Sequence, residues 1–170
     1  MMKYLQKLGK AIMLPVAVLP VAAIMMGIGY AMCPSTMQGG DVTGIIQIIG
    51  FALVKIGSAV IDKLPMLFAV GVAIGLSKDQ HGAAGLAGLV AFLTVTTVLN
   101  SGVVATMMGA EEAPLAFSKI DNAFIGIISG ITASVCYNKF SSAQLPTALA
   151  FFSGKRCVPI VTSFVMVAES

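Results

Sequence analysis

Charged side chains are scarce in this sequence. Asp, Glu, Lys and Arg together make up 10% of its 170 residues, whereas hydrophobic residues make up 58%. An ordinary soluble domain carries about 25% charged residues, and it needs polar side chains to cover its surface. The shortage excludes a water-soluble globular fold and predicts an integral membrane protein.

Metal-binding and redox patterns are also missing. The three cysteines, Cys33, Cys136 and Cys157, lie far apart and form no CxxC or Cys/His spacing. We therefore predict no metal site, no cofactor and no disulfide framework, and we expect small buried thiols. The single histidine, His81, is expected to be solvated in a loop. The net charge of +3 is small and spread along the chain, so no nucleic-acid partner is expected.

No catalytic constellation is present either. The sequence has no GxxxxGK[ST], HExxH or GxSxG motif, so no catalytic residue is predicted. Glu111 and Glu112 are adjacent carboxylates, but Lys119 and Asp121 follow closely, which indicates a solvated charged loop. The long uncharged runs of the sequence carry no Asp, Glu, Lys or Arg near their centres. Such charges usually mark ion or proton paths, and their absence argues against a self-contained proton-coupled transporter.

Uncharged runs of about 20 residues predict α-helical membrane spans. We expect spans at about 11–32, 57–77, 83–104 and 122–138, an amphipathic cytoplasmic segment at 140–156 and an incomplete span at 157–168. Pro15 and Pro20 are expected to make the first half of the first span irregular. The last run holds about 12 residues, and a complete span needs about 20, so the chain is expected to be cut within an element.

The segment 42–61 leaves two topologies open. It carries Lys55 and ends before Asp62 and Lys63, so it is either a full span or an interfacial segment leading into the next helix. If it does not cross alone, seven cations fall inside and three outside, as the positive-inside rule requires. The inside set is then Lys3, Lys7, Lys10, Lys78, Lys139, Lys155 and Arg156, with Asp79. We prefer this topology, with a cytoplasmic N-terminus.

Glycine is abundant around a short polar hinge, Ser77 to His81. Each glycine in a helix costs about 1 kcal/mol against alanine in water. In a membrane, however, small residues let helix backbones approach closely. We therefore predict helix-packing roles for seven glycines: Gly71, Gly75, Gly82, Gly85, Gly88, Gly126 and Gly130.

Five segments resemble one family in family order. They are LGKAIMLPVAVLP (8–20), LPMLFAVGVAIGLSKD (64–79), GAAGLAGLVAFL (82–93), NAFIGIISGI (122–131) and LPTALAFFSGKRCVPIVTSF (145–164). Together they resemble the membrane-embedded C domain of enzyme II sugar permeases. These permeases belong to the phosphoenolpyruvate-dependent phosphotransferase system, glucose/N-acetylglucosamine branch, and the N-acetylglucosamine type is the closer of the two. The GKR-x-VPI sequence is typical of the family.

The resemblance implies an all-α membrane bundle in the bacterial inner membrane. It also implies carriage of N-acetylglucosamine or glucose to a phosphocysteine on an enzyme II B domain, with uptake and phosphorylation together. The N-terminal half would form scaffold and homodimer contacts. Family domains are about twice as long, and this sequence has no Thr-Glu-Pro, no B-domain cysteine in a Cys-x-Thr setting and no A-domain histidine. The chain is therefore expected to be the N-terminal half, inactive alone and without a phosphorylation site of its own.

Two functional hypotheses follow. In the first, the chain is part of such a permease, and Lys155 and Arg156 face the cytoplasm where the acidic, phosphate-bearing B domain docks. The alternative interpretation of these two cations is that they anchor the helix end at anionic lipid headgroups. In the second hypothesis, the chain is a small self-sufficient oligomeric membrane protein, a channel or a scaffold, associating through its glycine faces.

Overall fold

A computed structural model describes residues 2–38, 42–109, 115–143, 151 and 153–169. Within those ranges the ordered elements are helical. They are α1 (Met2–Val16), α2 (Leu19–Met32), α3 (Ser35–Gln38), α4 (Ile45–Asp62), α5 (Leu64–Leu76), α6 (Gly82–Val98), α7 (Ser101–Met108), α8 (Ala123–Phe140) and α9 (Val158–Glu169). Short 3₁₀ turns cover Leu115–Lys119 and Gly154–Arg156. Glu111, Glu112 and, within the predicted amphipathic segment 140–156, residues 144–150 and 152 lie outside the described residues.

The chain divides into two compact units. One, here the two-helix unit, is Leu14–Leu64; the other, here the main unit, is Met1–Met13 with Pro65–Ser170. In the two-helix unit α2 packs along α4 through glycines. A Cβ added at Gly29 would lie 2.6 Å from the carbonyl oxygen of Gly50, so the two backbones touch. Large side chains such as Ile45 and Ile48 point outward.

Proline explains the irregular start of the two-helix unit. The helix α1 ends at Val16, one residue after Pro15, and α2 begins at Leu19. Pro20 then stands in the first turn of α2, where its missing N–H leaves no helical hydrogen bond unmade. The predicted irregularity in this run is confirmed.

The core of the main unit is made of small residues on α6, α8 and α9. Ala84, Ala87, Ala91 and Ala133 are fully buried, and Tyr137 is the largest buried side chain. Large apolar residues such as Leu86 and Phe164 are exposed instead. Small residues inside and large apolar residues outside are the arrangement expected of a bundle whose surroundings are lipid.

Three helical stretches of the described chain are long and apolar enough to cross a membrane: Met2–Met32, Ile45–Asp62 and Ala123–Phe140. A fourth crossing is available if the bent pair Gly82–Val98 and Ser101–Met108, at 52°, counts as one span. The predicted span 83–104 is therefore not a straight helix. Asn100 accepts a hydrogen bond from the Gly102 N–H at 3.0 Å and begins a new helix there.

The predicted span 57–77 is not continuous. Its first residues belong to α4, which ends at Asp62, and α5 begins at Leu64. Pro65 has no N–H to donate to the carbonyl of Ile61, so α4 cannot continue through it. The helix α4 is long and apolar enough for a full span, so both topologies of the segment 42–61 stay open. Which helices cross the bilayer stays a prediction.

Candidate functional site

The turn between α5 and α6 is held by side chains from other parts of the main unit. The Lys7 ammonium donates to the carbonyl of Ser77 at 3.2 Å. Asn138 of α8 accepts from the Lys78 N–H at 2.9 Å and donates to the carbonyl of Leu76 at 3.2 Å. One amide therefore satisfies two backbone groups at the start of the turn, which fixes the turn against the end of α8.

Asp79, at the tip of this turn, joins two more elements. Its carboxylate accepts from the Tyr137 hydroxyl at 3.0 Å and from the Lys155 ammonium at 2.6 Å. Tyr137 is 1% exposed, so its ring lies in the core and only its hydroxyl reaches this surface. The Asp79 carboxylate is thus bonded to α8 through Tyr137 and to the Gly154–Arg156 turn through Lys155.

The ion pair changes the acidity of both partners. The hydrogen bond from Lys155 holds the pKa of Asp79 below its usual value, with a smaller lowering from the Tyr137 hydroxyl, while partial desolvation opposes both. The same bond raises the pKa of Lys155. The two side chains are 41% and 45% exposed. Water therefore screens the attraction, and the pair contributes little to stability, as exposed pairs usually do.

Arg156 is oriented by its own neighbour. Its guanidinium lies 5.1 Å from the centre of the Phe151 ring and bonds the Phe151 carbonyl at 3.5 Å. The residue is exposed, so the stacked guanidinium still presents donors to solvent. The structure therefore brings both predicted docking residues, Lys155 and Arg156, to the same end of the main unit as the α5–α6 turn.

We call this end the basic end. It consists of Lys7, Lys78, Asp79, Lys139, Lys155 and Arg156. Five cations there face one carboxylate, and Lys155–Asp79 is the only ion pair between described residues. Lys119 and Asp121 precede α8 and so lie toward its other end. An end with this excess of cations attracts anions.

Sequence reasoning missed Asp79, Tyr137 and Asn138 as members of this cluster. Asp79 and Lys155 are 76 residues apart. The usable signal was that Asp79 is the one acid predicted among the inside cations. Nothing in the apolar run around Tyr137 and Asn138 indicates that their polar atoms reach the α5–α6 turn.

Most of the predicted packing glycines make close contacts. A Cβ at Gly88 would lie 2.6 Å, and one at Gly130 2.8 Å, from the carbonyl oxygen of Ala69, so α6 and α8 both touch the backbone of α5 at one residue. Three others also contact neighbours: Gly75 meets Ala11, Gly85 meets Ile74, and Gly126 meets the Pro65 carbonyl. Gly71 is half-buried in α5.

Gly82 does not fit the packing prediction. It is exposed at the first position of α6, and no atom lies within 4 Å of where its Cβ would be. Its spacing to Gly85 and Gly88 places it on their side of the helix, but there is no neighbour at that level. A side chain at this position would therefore meet no neighbouring atom within the described chain.

A groove of about 380 Å³ runs between α8 and α9. Its polar side chains include Thr132, Lys139 and Glu169, and its walls are mostly apolar. Thr132 donates to the Glu169 carboxylate at 3.1 Å, which places an ionisable group beside the middle of α8. Sequence reasoning expected no such group there, because Glu169 lies beyond the last predicted apolar run, 157–168. Across the described residues, no three His, Cys, Asp or Glu side chains form a metal-binding group.

Comparison with known proteins gives consistent matches over nearly the whole chain. A family model described as "Phosphotransferase system, EIIC" matches residues 9–168. The chain is 38% identical over 169 residues to the PTS system N-acetylglucosamine-specific EIICB component of Bacillus subtilis (strain 168), covering 98% of this chain and 31% of that protein. It is 37% identical over 175 residues to the PTS system glucose-specific EIICBA component of Staphylococcus saprophyticus, covering 95% of this chain and 26% of that protein. It thus spans less than a third of the length of these relatives.

Proposed function

The chain belongs to the phosphotransferase system EIIC family, and from this premise we propose that it works as part of a sugar permease of that system. The activity is uptake of N-acetylglucosamine or glucose with concomitant phosphorylation. The two relatives named above are specific for these two sugars, and they are about equally similar to this chain. The chain itself is an all-α membrane protein, as that role requires.

The basic end is the observation that carries the rest of the proposal. We assign it to the cytoplasmic side of the bacterial inner membrane, with the N-terminus on the same side. Lys7, Lys78 and Lys155 meet there, and basic residues near membrane ends favour the cytoplasm. Cysteines at Lys155 and at Lys119, in a background without native cysteines, test this. Lys155→Cys should react only with a probe admitted to the cytoplasm and Lys119→Cys only from outside; the reverse pattern contradicts the orientation.

The partner that fits the basic end is an enzyme II B domain carrying phosphocysteine. Lys155 and Arg156 are exposed or half-exposed cations on one turn, and a phosphoryl group offers a charge-assisted acceptor to both. We expect the phosphorylated domain to bind the detergent-solubilised chain more tightly than the unphosphorylated one, with an affinity that falls as salt rises. Replacing both cations by glutamine should remove that difference.

A chimera tests the transport role directly. The matching segment of the Bacillus subtilis relative is exchanged for this chain, and labelled sugar uptake is measured in cells without their own permease. We expect uptake of N-acetylglucosamine; uptake of glucose alone would assign the other sugar. A chimera that inserts into the membrane but restores uptake of neither sugar contradicts the proposal. Cross-linking of tagged chimeras in the same membranes tests the homodimer that the family resemblance implies.

The alternative of a self-sufficient oligomeric channel or scaffold has less support. It relied on glycine faces available to other copies. Gly88, Gly126 and Gly130 all meet the backbone of α5 within the same main unit. They are therefore not open to a second chain.

A further inference from the structure

We propose that Asp79 holds Lys155 as an exchangeable counter-ion, and that the phosphate-bearing partner domain binds the basic end by taking Lys155 from Asp79. This inference rests on the function proposed above and adds a step to it. Before the partner domain binds, Asp79 holds the Lys155 ammonium in place at the docking surface. Asp79 then acts as a positioning residue, through Lys155.

The pair is easily exchanged because its two side chains are both more than one-third exposed to water. An exposed carboxylate–ammonium pair is worth little, since water competes for both groups. A phosphoryl group carries up to two negative charges and three acceptor oxygens. It therefore outcompetes one carboxylate for the same ammonium, and it gains the neighbouring guanidinium of Arg156 as well.

The Asp79 side of the pair remains in place when Lys155 leaves. Its carboxylate keeps the hydrogen bond from Tyr137, whose ring is packed in the core. The turn that carries Asp79 keeps both hydrogen bonds to Asn138. Asp79 thus has a partner in both states, and no charge is left without a hydrogen bond.

The Lys155 side can move without disturbing the fold. Lys155 lies on the Gly154–Arg156 turn, and Gly154 has φ of +68°, a conformation that glycine adopts without strain. Its ammonium bonds Asp79 at 2.6 Å and also interacts with the Tyr137 hydroxyl, and the Lys155 side chain is 41% exposed to water. Rotation of one flexible side chain is therefore enough to transfer the charge from Asp79 to an incoming anion.

A double-mutant cycle tests the exchange. The affinity of the phosphorylated B domain of the Bacillus subtilis relative is measured for the wild-type chain, Asp79→Asn, Lys155→Gln and the double variant. Asp79→Asn should bind about two- to fivefold tighter because Lys155 is already free, and Lys155→Gln should bind weaker by a similar factor. In the double variant the gain from Asp79→Asn should vanish. If the gain persists there, Asp79 acts only by its negative charge and the exchange is wrong.

Amine labelling read by mass spectrometry separates this failure from failure of the docking proposal. Asp79→Asn should raise the labelling of Lys155 and leave that of Lys139 unchanged, with no partner present. Raised labelling without binding of the phosphorylated domain to any variant overturns the docking and the exchange together. Binding with an additive cycle overturns only the exchange. If phosphatidylglycerol nanodiscs alone protect Lys155 in Asp79→Asn, and phosphatidylcholine nanodiscs do not, a lipid headgroup takes the place of the partner and the proposal is wrong.

Discussion

The two units of this chain are stabilised in different ways. The two-helix unit has its tightest contacts between backbones, at Gly29, Gly50 and Gly57, and its charged Lys55 lies over the ring of Phe51 at 5.3 Å. The main unit has equally tight glycine contacts, but it also carries a network of side-chain hydrogen bonds at one end. Packing alone thus suffices to pair helices in an apolar solvent, and long-range polar contacts appear where three segments of chain must meet.

This difference indicates where function resides. Lipid does not drive apolar helices together, so close packing has to hold the scaffold. Polar groups are costly inside a bilayer and concentrate where they are satisfied. In the main unit they concentrate at the basic end, on turns that the scaffold positions. We expect substitutions in the two-helix unit to act on stability and substitutions at the basic end to act on binding.

The largest effect is expected from a side chain forced between α2 and α4. Gly29→Val places atoms against the Gly50 carbonyl and the Val54 backbone, which cannot move aside separately. Overpacking of this kind costs about 3 kcal/mol. Gly27→Val is the matched control, because a Cβ added at Gly27 in the same helix would meet no neighbouring atom within 4 Å and the helix-propensity cost is the same. Thermal melting in detergent, followed by size-exclusion chromatography, should separate them; equal melting temperatures would show that α2 and α4 are not in backbone contact.

A smaller loss is expected from the corresponding change in the main unit. Gly88→Ala adds one methyl group 2.6 Å from the Ala69 carbonyl, whereas Gly82→Ala adds it in open space. We expect Gly88→Ala to be less stable than Gly82→Ala by about 1–2 kcal/mol. The partner affinity of the protein that remains folded should be unchanged. A loss of affinity in folded Gly88→Ala would mean that packing and docking are not separable as the comparison claims.

The sequence was sufficient to predict the lipid solvent, the helical fold and the basic end. The lipid surroundings and the helical fold follow from the scarcity of charged residues and from uncharged runs long enough to span a membrane. The third followed from counting cations loop by loop, which placed Lys78, Lys155 and Arg156 on one side before any contact was known. The spacing of Gly126 and Gly130 predicted a close-contact face, and a Cβ added at either glycine would meet the backbone of α5.

Contacts between segments distant in the sequence were not predictable in the same way. Gly29 and Gly50 form one contact from two helices, so no repeat within a helix reveals it. Conversely, a regular repeat included Gly82, where the neighbouring helix has already ended. The predicted span 57–77 ran across the break before Pro65, although Asp62 and Lys63 stand directly before it. The Lys155–Asp79 pair depends on where two turns meet, and composition carries no information about that.

Removing the Asn138 amide, which bonds the backbone of the α5–α6 turn, tests whether polar contacts stabilise the basic end. Asn138→Leu loses the bonds to Lys78 and Leu76 and leaves backbone groups of the turn without partners. We expect a stability loss of about 1 kcal/mol. Asn138→Asp keeps the acceptor and should lose less. Amide hydrogen exchange should rise at Lys78 in Asn138→Leu and not in Asn138→Asp; no change at Lys78 would remove the clamp from the description of this turn.

The smallest effect on stability is expected from the ion pair itself, and its pH dependence identifies it. The pKa of Asp79 is lowered in the folded chain, so its stabilisation is fully present above the ordinary carboxyl pKa and is lost as pH falls through the lowered folded value. The pKa of Lys155 is raised, so at the alkaline side the loss comes as pH rises through that raised value.

Between these limits wild type should melt above Asp79→Asn by a small amount, on the order of 1 °C. As pH falls through the lowered folded pKa of Asp79, the melting temperatures of the two proteins should converge, because the wild-type carboxyl then becomes protonated as well. Melting curves of both proteins across that range measure the difference. Lys155→Gln is the matched control: in that background the effect of Asp79→Asn on the melting temperature should depend less on pH, because the largest cause of the lowered Asp79 pKa is gone. A stability difference that grows toward acid would mean that Asp79 is held in its neutral form, and the basic end would then have no carboxylate from which to release Lys155.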